Sequence, residues 1–230
     1  MRAFISKATG GFVLSGLLLL ATVPVYADIL NGSFETPVVV PGTFQLFPVG
    51  SVLIPNWTVV GVGTQHVAIV SGSFTQNGVT FPAQSGSQWL DLTGLDVNST
   101  EGVSQSVATI AGHLYQLSYF IGNTTGGGIF GATSTVNVQL NGVQTFSDTN
   151  SAVNPTSLTW QQFTHTFTAT GATTTLAFRN GDPASDNSNG LDNITLLDLG
   201  PAVTPVPEPA TLFLLVFGAV SIGAVARRYR

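Results

Sequence analysis

Hydrophobic and polar residues alternate along most of the chain between residues 28 and 199, and turn residues separate the alternating runs. A period of two is typical of strands that bury one face. The clearest predicted strands cover residues 114–121, 135–140, 161–169, 173–179 and 191–197. No internal stretch follows the period of a helix. About eight to ten short strands without intervening helices predict an all-β sandwich or jelly roll.

The dipeptide Asn141-Gly142 lies between the alternating runs 136–140 and 143–146. Asn and Gly both accept the positive φ angles that a two-residue primed turn requires. This pair therefore predicts a tight β-hairpin.

Charge is scarce and unevenly distributed. Charged residues make up 7% of the sequence and hydrophobic residues 43%. Between residues 28 and 206 the chain holds ten of its eleven acidic residues but a single basic residue, Arg179. Because no basic surface is available to neutralise phosphates, nucleic acid and anionic membranes make poor partners. The chain has no cysteine, which excludes disulfides, thiol chemistry and cysteine zinc sites.

The first 27 residues have the three parts of a secretory signal peptide. A basic start precedes an apolar run at residues 11–20, and Val25 and Ala27 put small residues at positions −3 and −1. The apolar run is short for a membrane span. We therefore predict a signal helix at residues 1–27, export by the Sec machinery and cleavage after Ala27. The alternatives are an uncleaved anchor and a core helix.

The C-terminal end also has three parts. Residues 200–209 are a proline-rich linker that ends in Val206, Pro207, Glu208 and Pro209. The apolar run at residues 210–226 predicts a transmembrane helix, and residues 227–230 are basic. Such a helix is about 25 Å long against a roughly 30 Å hydrocarbon core, and its basic end stays in the cytoplasm. The tail resembles the PEP-CTERM sorting signal. This resemblance implies cleavage by an exosortase-type membrane enzyme, and the alternative is a permanent anchor.

Four segments of the middle region carry a further resemblance through their order and spacing. They are ILNGSFETP at 29–37, PNWTV at 55–59, GSQWLDL at 86–92 and GLDNITL at 190–196. Residues 28–199 resemble galactose-binding-like jelly rolls, most of all the domain of unknown function 642 group of plant cell walls, and some carbohydrate-binding modules. The resemblance implies a galactose-binding-like jelly-roll β-sandwich. The plant proteins repeat the domain and contain cysteines, whereas this chain has one copy and no cysteine.

In jelly rolls of this kind, a first-strand glutamate and a last-strand aspartate often lie side by side and hold a structural Ca²⁺. The residues at those positions here are Glu35 and Asp192. Since calcium takes about six to eight oxygen ligands, the pair would need backbone carbonyls, water and a carboxylate such as Asp91 or Asp28. The resemblance thus implies a calcium site. The alternative is that both carboxylates hold backbone amides at the end of the sandwich.

Two long loops, residues 122–131 and 181–189, offer amides, carboxylates and a few apolar side chains to a sugar. Loops on a rigid scaffold often carry function. The residues predicted to bind a ligand are Asn123, Thr124, Phe130, Asp182, Asp186 and Asn187. The alternative is that both loops are only solvated connections. The resemblance implies that Trp57 and Trp160 are core anchors. Trp89 lies in an alternating strand, which also favours the core over a sugar platform.

Catalysis has little support in the sequence. His66, His113 and His165 show no metal-binding spacing, and no nucleophile elbow is present. His165 alternates in phase with two phenylalanines, which favours a buried, hydrogen-bonded histidine over a general base. We therefore predict an exported, non-enzymatic surface or matrix protein whose jelly roll binds polysaccharide, with the cell's own exopolymer as the expected ligand. Two other classes remain open: a structural or adhesive protein that makes protein contacts, and a glycoside hydrolase whose carboxylate pair assembles in space.

Overall fold

The computed structural model describes residues 25–95, 100–182 and 188–202, with the backbone alone for residues 25–27. This part of the chain contains fourteen β-strands. They are β1 (Val25–Ala27), β2 (Phe44–Pro48), β3 (Thr58–Val60), β4 (His66–Ser71), β5 (Thr75–Gln76), β6 (Val79–Thr80), β7 (Gln88–Asp91), β8 (Gly102–Ala108), β9 (His113–Asn123), β10 (Ser134–Leu140), β11 (Val143–Asn150), β12 (Thr159–Thr168), β13 (Thr173–Asn180) and β14 (Gly190–Pro201). The only helical element among the described residues is a 3₁₀ turn, Gly126–Gly128.

Twelve of the strands form two sheets that pack face to face. The first sheet has the order β12-β9-β14-β7-β4-β2, with β1 also paired to β14, and the second has the order β11-β10-β13-β8-β3. β5 and β6 form a small separate hairpin. From β7 onward the chain crosses repeatedly between the two sheets, which is the connectivity of a sandwich rather than of a single sheet.

The main core lies between the two sheets and is built from alternate residues of the strands. Trp57 is 1% exposed and packs against Phe34 and Phe178, with ring centroids 5.5 and 6.2 Å away. Its indole N–H donates a hydrogen bond to the carbonyl oxygen of Asn31 (3.1 Å). Tyr119 meets Phe178 edge to face at 5.3 Å. Burial of each large side chain contributes about 1.5–3 kcal/mol, so this layer supplies much of the stability.

A second apolar cluster lies on the outer face of the first sheet. In β7, Leu90 belongs to the main core, whereas Trp89 belongs to the outer cluster. Because side chains alternate along a strand, Asp91 points to the same outer face as Trp89. The segment that contains β5, β6 and Phe81 covers this face together with Phe130, which follows β9. The cover turns an open sheet face into an enclosed one.

The all-β sandwich predicted from the sequence is confirmed. The five clearest predicted strands coincide with β9, β10, β12, β13 and β14, with ends that differ by a few residues. Asn141 and Gly142 have φ angles of 51° and 82°, as a primed turn requires. They join β10 and β11 in the predicted hairpin.

The two terminal segments lie mostly outside the described residues. Of the predicted signal helix at residues 1–27, only residues 25–27 are described, and they form strand β1, paired with residues 196–198 of β14. A strand forms here because the edge of β14 offers unpaired backbone groups. The sorting motif, the apolar segment at 210–226 and the basic residues 227–230 lie outside the described residues. Within the described part, no helix has the length and apolar character needed to cross a membrane.

Candidate functional site

A cavity of about 80 Å³ opens on the outer face of the first sheet. Five aromatic side chains line it: Phe44, Phe74, Phe81, Trp89 and Phe130. Phe44 is 39% exposed, whereas Trp89 is 1% exposed and Phe130 6% exposed. The cavity, which we call the aromatic recess, is therefore an apolar pocket with one accessible ring at its rim.

The rings of the aromatic recess form a continuous set of contacts. Phe74 lies 5.5 Å from Phe44 and 5.6 Å from Phe81, measured between ring centroids. Phe81 meets Phe130 edge to face at 5.4 Å and stacks on Trp89 at 6.2 Å. All of these distances fall in the favourable range of about 4.5–7 Å. Since each ring restricts its neighbours, the recess is preformed.

Asp91 lines the recess and is 8% exposed. Its Oδ1 accepts hydrogen bonds from the backbone N–H and the hydroxyl of Thr93 (3.0 and 2.8 Å) and from the N–H of Asn189 (3.3 Å). Burial raises the pKa of the Asp91 carboxyl to about 6, although these hydrogen bonds lower it. The recess thus holds a mainly ionised carboxylate at neutral pH and a neutral acid in mildly acidic solution.

Ser188 also lines the recess and is 2% exposed. Its carbonyl oxygen accepts a hydrogen bond from the hydroxyl of Ser134 (2.7 Å). Its own Oγ has no hydrogen-bond partner among the described residues. A buried polar group without a partner costs about 1–3 kcal/mol, so a ligand atom that bonded to this hydroxyl would recover that loss.

A wider groove of about 640 Å³ borders residues 82–88. No aromatic side chain lines it, and its polar groups include Glu35, Ser71 and Ser73. The hydroxyls of Ser71 and Ser73 bond to each other at 2.9 Å. The groove is larger than the aromatic recess, but it offers no ring to a ligand, and the side chains of Ser71, Ser73 and Gln88 are bonded within the protein. We therefore take the recess as the candidate site on its chemistry rather than its size.

Of the predicted ligand-binding residues that the structure describes, Phe130 alone lines the recess. Asn123 and Thr124 are fully buried. The side-chain amide of Asn123 donates to the carbonyl of Ala152 (3.0 Å), and the hydroxyl of Thr124 donates to the carbonyl of Asn154 (2.9 Å). The prediction that these two residues face a ligand is corrected, because their polar groups bond to the backbone of the connection between β11 and β12.

Asp182 needs the same correction. It is 6% exposed, and its Oδ1 accepts the backbone N–H of Thr135 in β10. Its carboxylate therefore holds an end of the second sheet, and Asp182 is not one of the residues that line the recess. Asp186 and Asn187 lie outside the described residues.

Glu35 and Asp192 lie together and act as a pair, which we call the carboxylate clamp. Each carboxylate uses one oxygen to accept two backbone N–H groups of residues 82–88, at 2.9–3.1 Å. The amides of Gln84 and Ser85 bond to Asp192, and those of Ser87 and Gln88 bond to Glu35. The clamp thus fixes the segment that follows Phe81 in the wall of the recess.

Burial, and to a smaller extent the charge of Glu35, raises the pKa of the Asp192 carboxyl to about 7. The described residues contain no group of three or more His, Cys, Asp or Glu side chains that could hold a metal ion. Asp91 is bonded to Thr93 and Asn189 instead. This geometry matches the amide-holding alternative for the carboxylate clamp. The calcium site stays a prediction.

Two of the histidines belong to hydrogen-bonded clusters. His165 donates from Nε2 to Asp148 (2.6 Å), which also accepts the hydroxyl of Tyr119. His113 donates from Nδ1 to both oxygens of Asp198 (3.0 Å each). His165 is hydrogen-bonded as the sequence predicts, but it is half-buried rather than buried, because β12 is an edge strand.

Comparison with family models identifies both parts of the chain. A model described as a protein of unknown function (DUF642) matches residues 27–197. The chain belongs to the DUF642 family. A second model, the PEP-CTERM protein-sorting motif, matches residues 205–230 of this DUF642 protein. Both resemblances seen in the sequence are confirmed. No curated protein matches the sequence.

Solved structures with this fold are distant in sequence. The Stig cyclase Fisc from Fischerella sp. TAU is 16% identical, with a TM-score of 0.56 over 78% of this chain and 100% of its own. The CBM22-1 xylan-binding domain from Paenibacillus barcinonensis Xyn10C is 15% identical, with a TM-score of 0.43 over 72% and 100%. The K2 cleaved adhesin domain of Lys-gingipain is 14% identical, with a TM-score of 0.44 over 75% and 97%. At these identities the likeness concerns the fold alone.

Asp91 and Ser188 are absent from the ligand-binding residues predicted from the sequence. The alternation in GSQWLDL carried a signal for one of them, since it puts Trp89 and Asp91 on one face of β7 and Leu90 on the other. An aromatic residue and a carboxylate on the same face of a strand are a common start for a polar ligand site. No comparable local signal marks Ser188.

Proposed function

We propose that this DUF642 protein is an exported surface or matrix protein that an exosortase-type enzyme processes and that binds polysaccharide through the aromatic recess. The proposal joins two supports. The tail carries the PEP-CTERM protein-sorting motif, which implies exosortase processing. The recess combines aromatic rings with a carboxylate and a hydroxyl, which together suit a sugar.

The observation that carries the sugar proposal is the contrast between the rim and the floor of the recess. Phe44 is 39% exposed at the rim and offers a ring face or edge to the C–H groups of a sugar. Asp91 and Ser188 lie deeper and offer hydrogen bonds to its polar groups. The scarcity of basic residues in the middle region favours a ligand without strong negative charge.

A glycan array with the purified full chain tests this proposal, provided that the detergent has no sugar headgroup. We expect binding to at least one polysaccharide, and we expect Phe44→Ala to weaken it about tenfold, because a ring contact worth about 1.5 kcal/mol is lost. Val143→Ala is the matched control, since Val143 is 69% exposed on β11 of the other sheet. Binding to no glycan would favour a structural or adhesive role, and release of sugar from a bound glycan would favour a hydrolase.

Mass spectrometry of the protein from its native envelope tests the sorting half. We expect a chain that begins at Asp28 and lacks the residues after the Val206–Pro209 motif. A full-length chain of 230 residues in the soluble cytosol would overturn the export proposal.

We also propose that Ca²⁺ binds at the carboxylate clamp, with Glu35 and Asp192 as its protein carboxylates. Burial and, to a smaller extent, the charge of Glu35 raise the pKa of Asp192, and a cation there would offset that charge. Calcium should then raise the melting temperature of the protein, and EDTA should reverse the rise. An unchanged melting temperature would leave the clamp as a device for holding backbone amides only.

A further inference from the structure

Three chemically different surfaces meet within the aromatic recess. Phe81 and Phe130 form an apolar corner, with their rings edge to face at 5.4 Å. Asp91 provides a carboxylate, and Ser188 provides a hydroxyl that has no hydrogen-bond partner among the described residues. A ligand group that satisfies all three must contain an apolar end, a hydrogen-bond donor and a hydrogen-bond acceptor.

The size of the recess limits what can enter it. Its volume of about 80 Å³ is about half that of a roughly 150 Å³ cavity that takes up benzene. A pyranose ring with its substituents is larger than benzene and stays outside, against the rim. Only a substituent of the ring fits inside.

The hydrogen-bonding capacity of the two polar groups is complementary. The bonds from Thr93 and Asn189 all end on Oδ1 of Asp91, and the backbone N–H of Gly94 also lies near the carboxyl. Since each carboxylate oxygen accepts about two hydrogen bonds, Oδ2 keeps capacity for one donor in the recess. A serine hydroxyl can donate one hydrogen bond. The pair thus matches a group that has an N–H and a carbonyl oxygen on adjacent atoms.

We propose, building on the proposed polysaccharide binding, that the recess selects N-acetylated sugars by taking up their acetamido group. The methyl group packs in the corner of Phe81 and Phe130. The amide N–H donates to Asp91, and the hydroxyl of Ser188 donates to the carbonyl oxygen.

Other sugar substituents satisfy fewer of these surfaces. A hydroxyl group leaves the apolar corner empty, and a methyl group of a deoxy sugar leaves Asp91 and Ser188 without partners. A carboxylate or a sulfate would meet the negative charge of Asp91 inside a recess of low polarity. The acetamido group alone among these provides all three contacts.

Matched pairs of immobilised glycans test the selection with the purified full chain. Suitable pairs are chitotetraose against cellotetraose and N-acetylgalactosamine against galactose, which differ only in the acetamido groups. We expect the acetylated member to bind at least about tenfold more tightly, since it makes two added hydrogen bonds and one apolar contact. Equal binding within the pairs, or preference for the plain sugars, would overturn the selection and leave polysaccharide binding intact. Binding to no glycan on a broad array would overturn both.

Two variants connect the preference to the recess. Ser188→Ala should reduce the preference about fivefold without loss of folding, because the hydroxyl has no hydrogen-bond partner to lose within the part of the chain that the structure describes. Ser106→Ala is its control, since Ser106 is an exposed serine of β8 in the other sheet. A preference that Ser188→Ala leaves unchanged would contradict the assignment of the carbonyl contact.

Discussion

Trp89 and Asp91 lie two residues apart in β7 and point to the same outer face of the first sheet, so that an indole and a carboxylate line one recess. Both are nearly inaccessible to solvent. The strand therefore supplies the aromatic ring and the ionisable group of the candidate site from a single rigid element. Any ligand that enters the recess contacts groups whose separation the pleat of the strand has set.

The buried carboxyl of Asp91 should make stability depend on pH. Its pKa is about 6 in the folded protein against an ordinary value of 3.8, so the folded state binds its proton more tightly than the unfolded state. The contribution of Asp91 to the free energy of unfolding is then at its maximum below pH 4 and is lost as the pH rises through 6. The free energy of unfolding should fall between pH 4 and pH 7, by roughly 3 kcal/mol from Asp91 alone. Denaturant titrations at a series of pH values measure the fall.

Asp192 acts in the same direction, with a folded pKa of about 7, so the wild-type protein shows both effects. Asp91→Asn removes only the effect of Asp91, so the free energy of unfolding of this variant should fall less than that of the wild type between pH 4 and pH 7. Asp28→Asn, at an exposed residue, is the control and should follow the wild type. A wild-type stability that increases over this pH range would show that Asp91 is not held as described.

Gly86 tests the carboxylate clamp. Its φ is +67°, and a Cβ added there would overlap Oε1 of Glu35, the oxygen that holds two backbone amides. Gly42 has a similar φ of +78°, but no atom lies within 4 Å of its added Cβ. Both alanine variants share the cost of positive φ, whereas Gly86→Ala must also displace Glu35.

We therefore expect Gly86→Ala to destabilise the protein by about 2 kcal/mol more than Gly42→Ala. Hydrogen exchange should accelerate at the amides of Ser87 and Gln88 in Gly86→Ala alone. Equal losses of stability in the two variants would mean that the clamp contributes nothing beyond the glycine conformation.

Alanine variants of Trp57 and Trp160 compare the contribution of the main core to stability with that of the outer cluster. Trp57 is 1% exposed in the main core, and Trp57→Ala should cost about 3–5 kcal/mol. Trp160 is half-buried beside Trp89, at 5.8 Å, so Trp160→Ala should cost clearly less. Urea unfolding of the two variants compares the losses. A larger loss of stability for Trp160→Ala would contradict this account, because the outer cluster would then stabilise the protein more than the core between the sheets.

Most of the fold could be predicted from local patterns, because the alternation that marks a strand lies within the residues of that strand. Alternation predicted β9, β10, β12, β13 and β14, and Asn141-Gly142 predicted the hairpin from the φ angles those residues tolerate. Trp57 was also predictable as a core anchor. The strands of two or three residues, such as β5 and β6, carry too few positions for a period to be read.

The site was less predictable because its residues are distant in the sequence. Phe44 begins strand β2, whereas Phe81 and Ser188 lie in two separate connections, and only the packing of the cover onto the first sheet brings them together. Asn123 and Thr124 illustrate the opposite error. In a sequence, polar loop residues resemble ligand-binding groups, but these two are buried and hydrogen-bonded to the backbone of the connection between β11 and β12.

The most direct test of sugar binding at the aromatic recess is a two-dimensional ¹H–¹⁵N NMR titration of the protein with the glycan that binds best on the array. The three tryptophans each give one indole N–H signal. The account predicts a shift of the Trp89 signal, because its ring lines the recess, and an unchanged Trp57 signal, because that ring lies in the core between the sheets. An unperturbed Trp89 signal at saturating glycan would contradict the account.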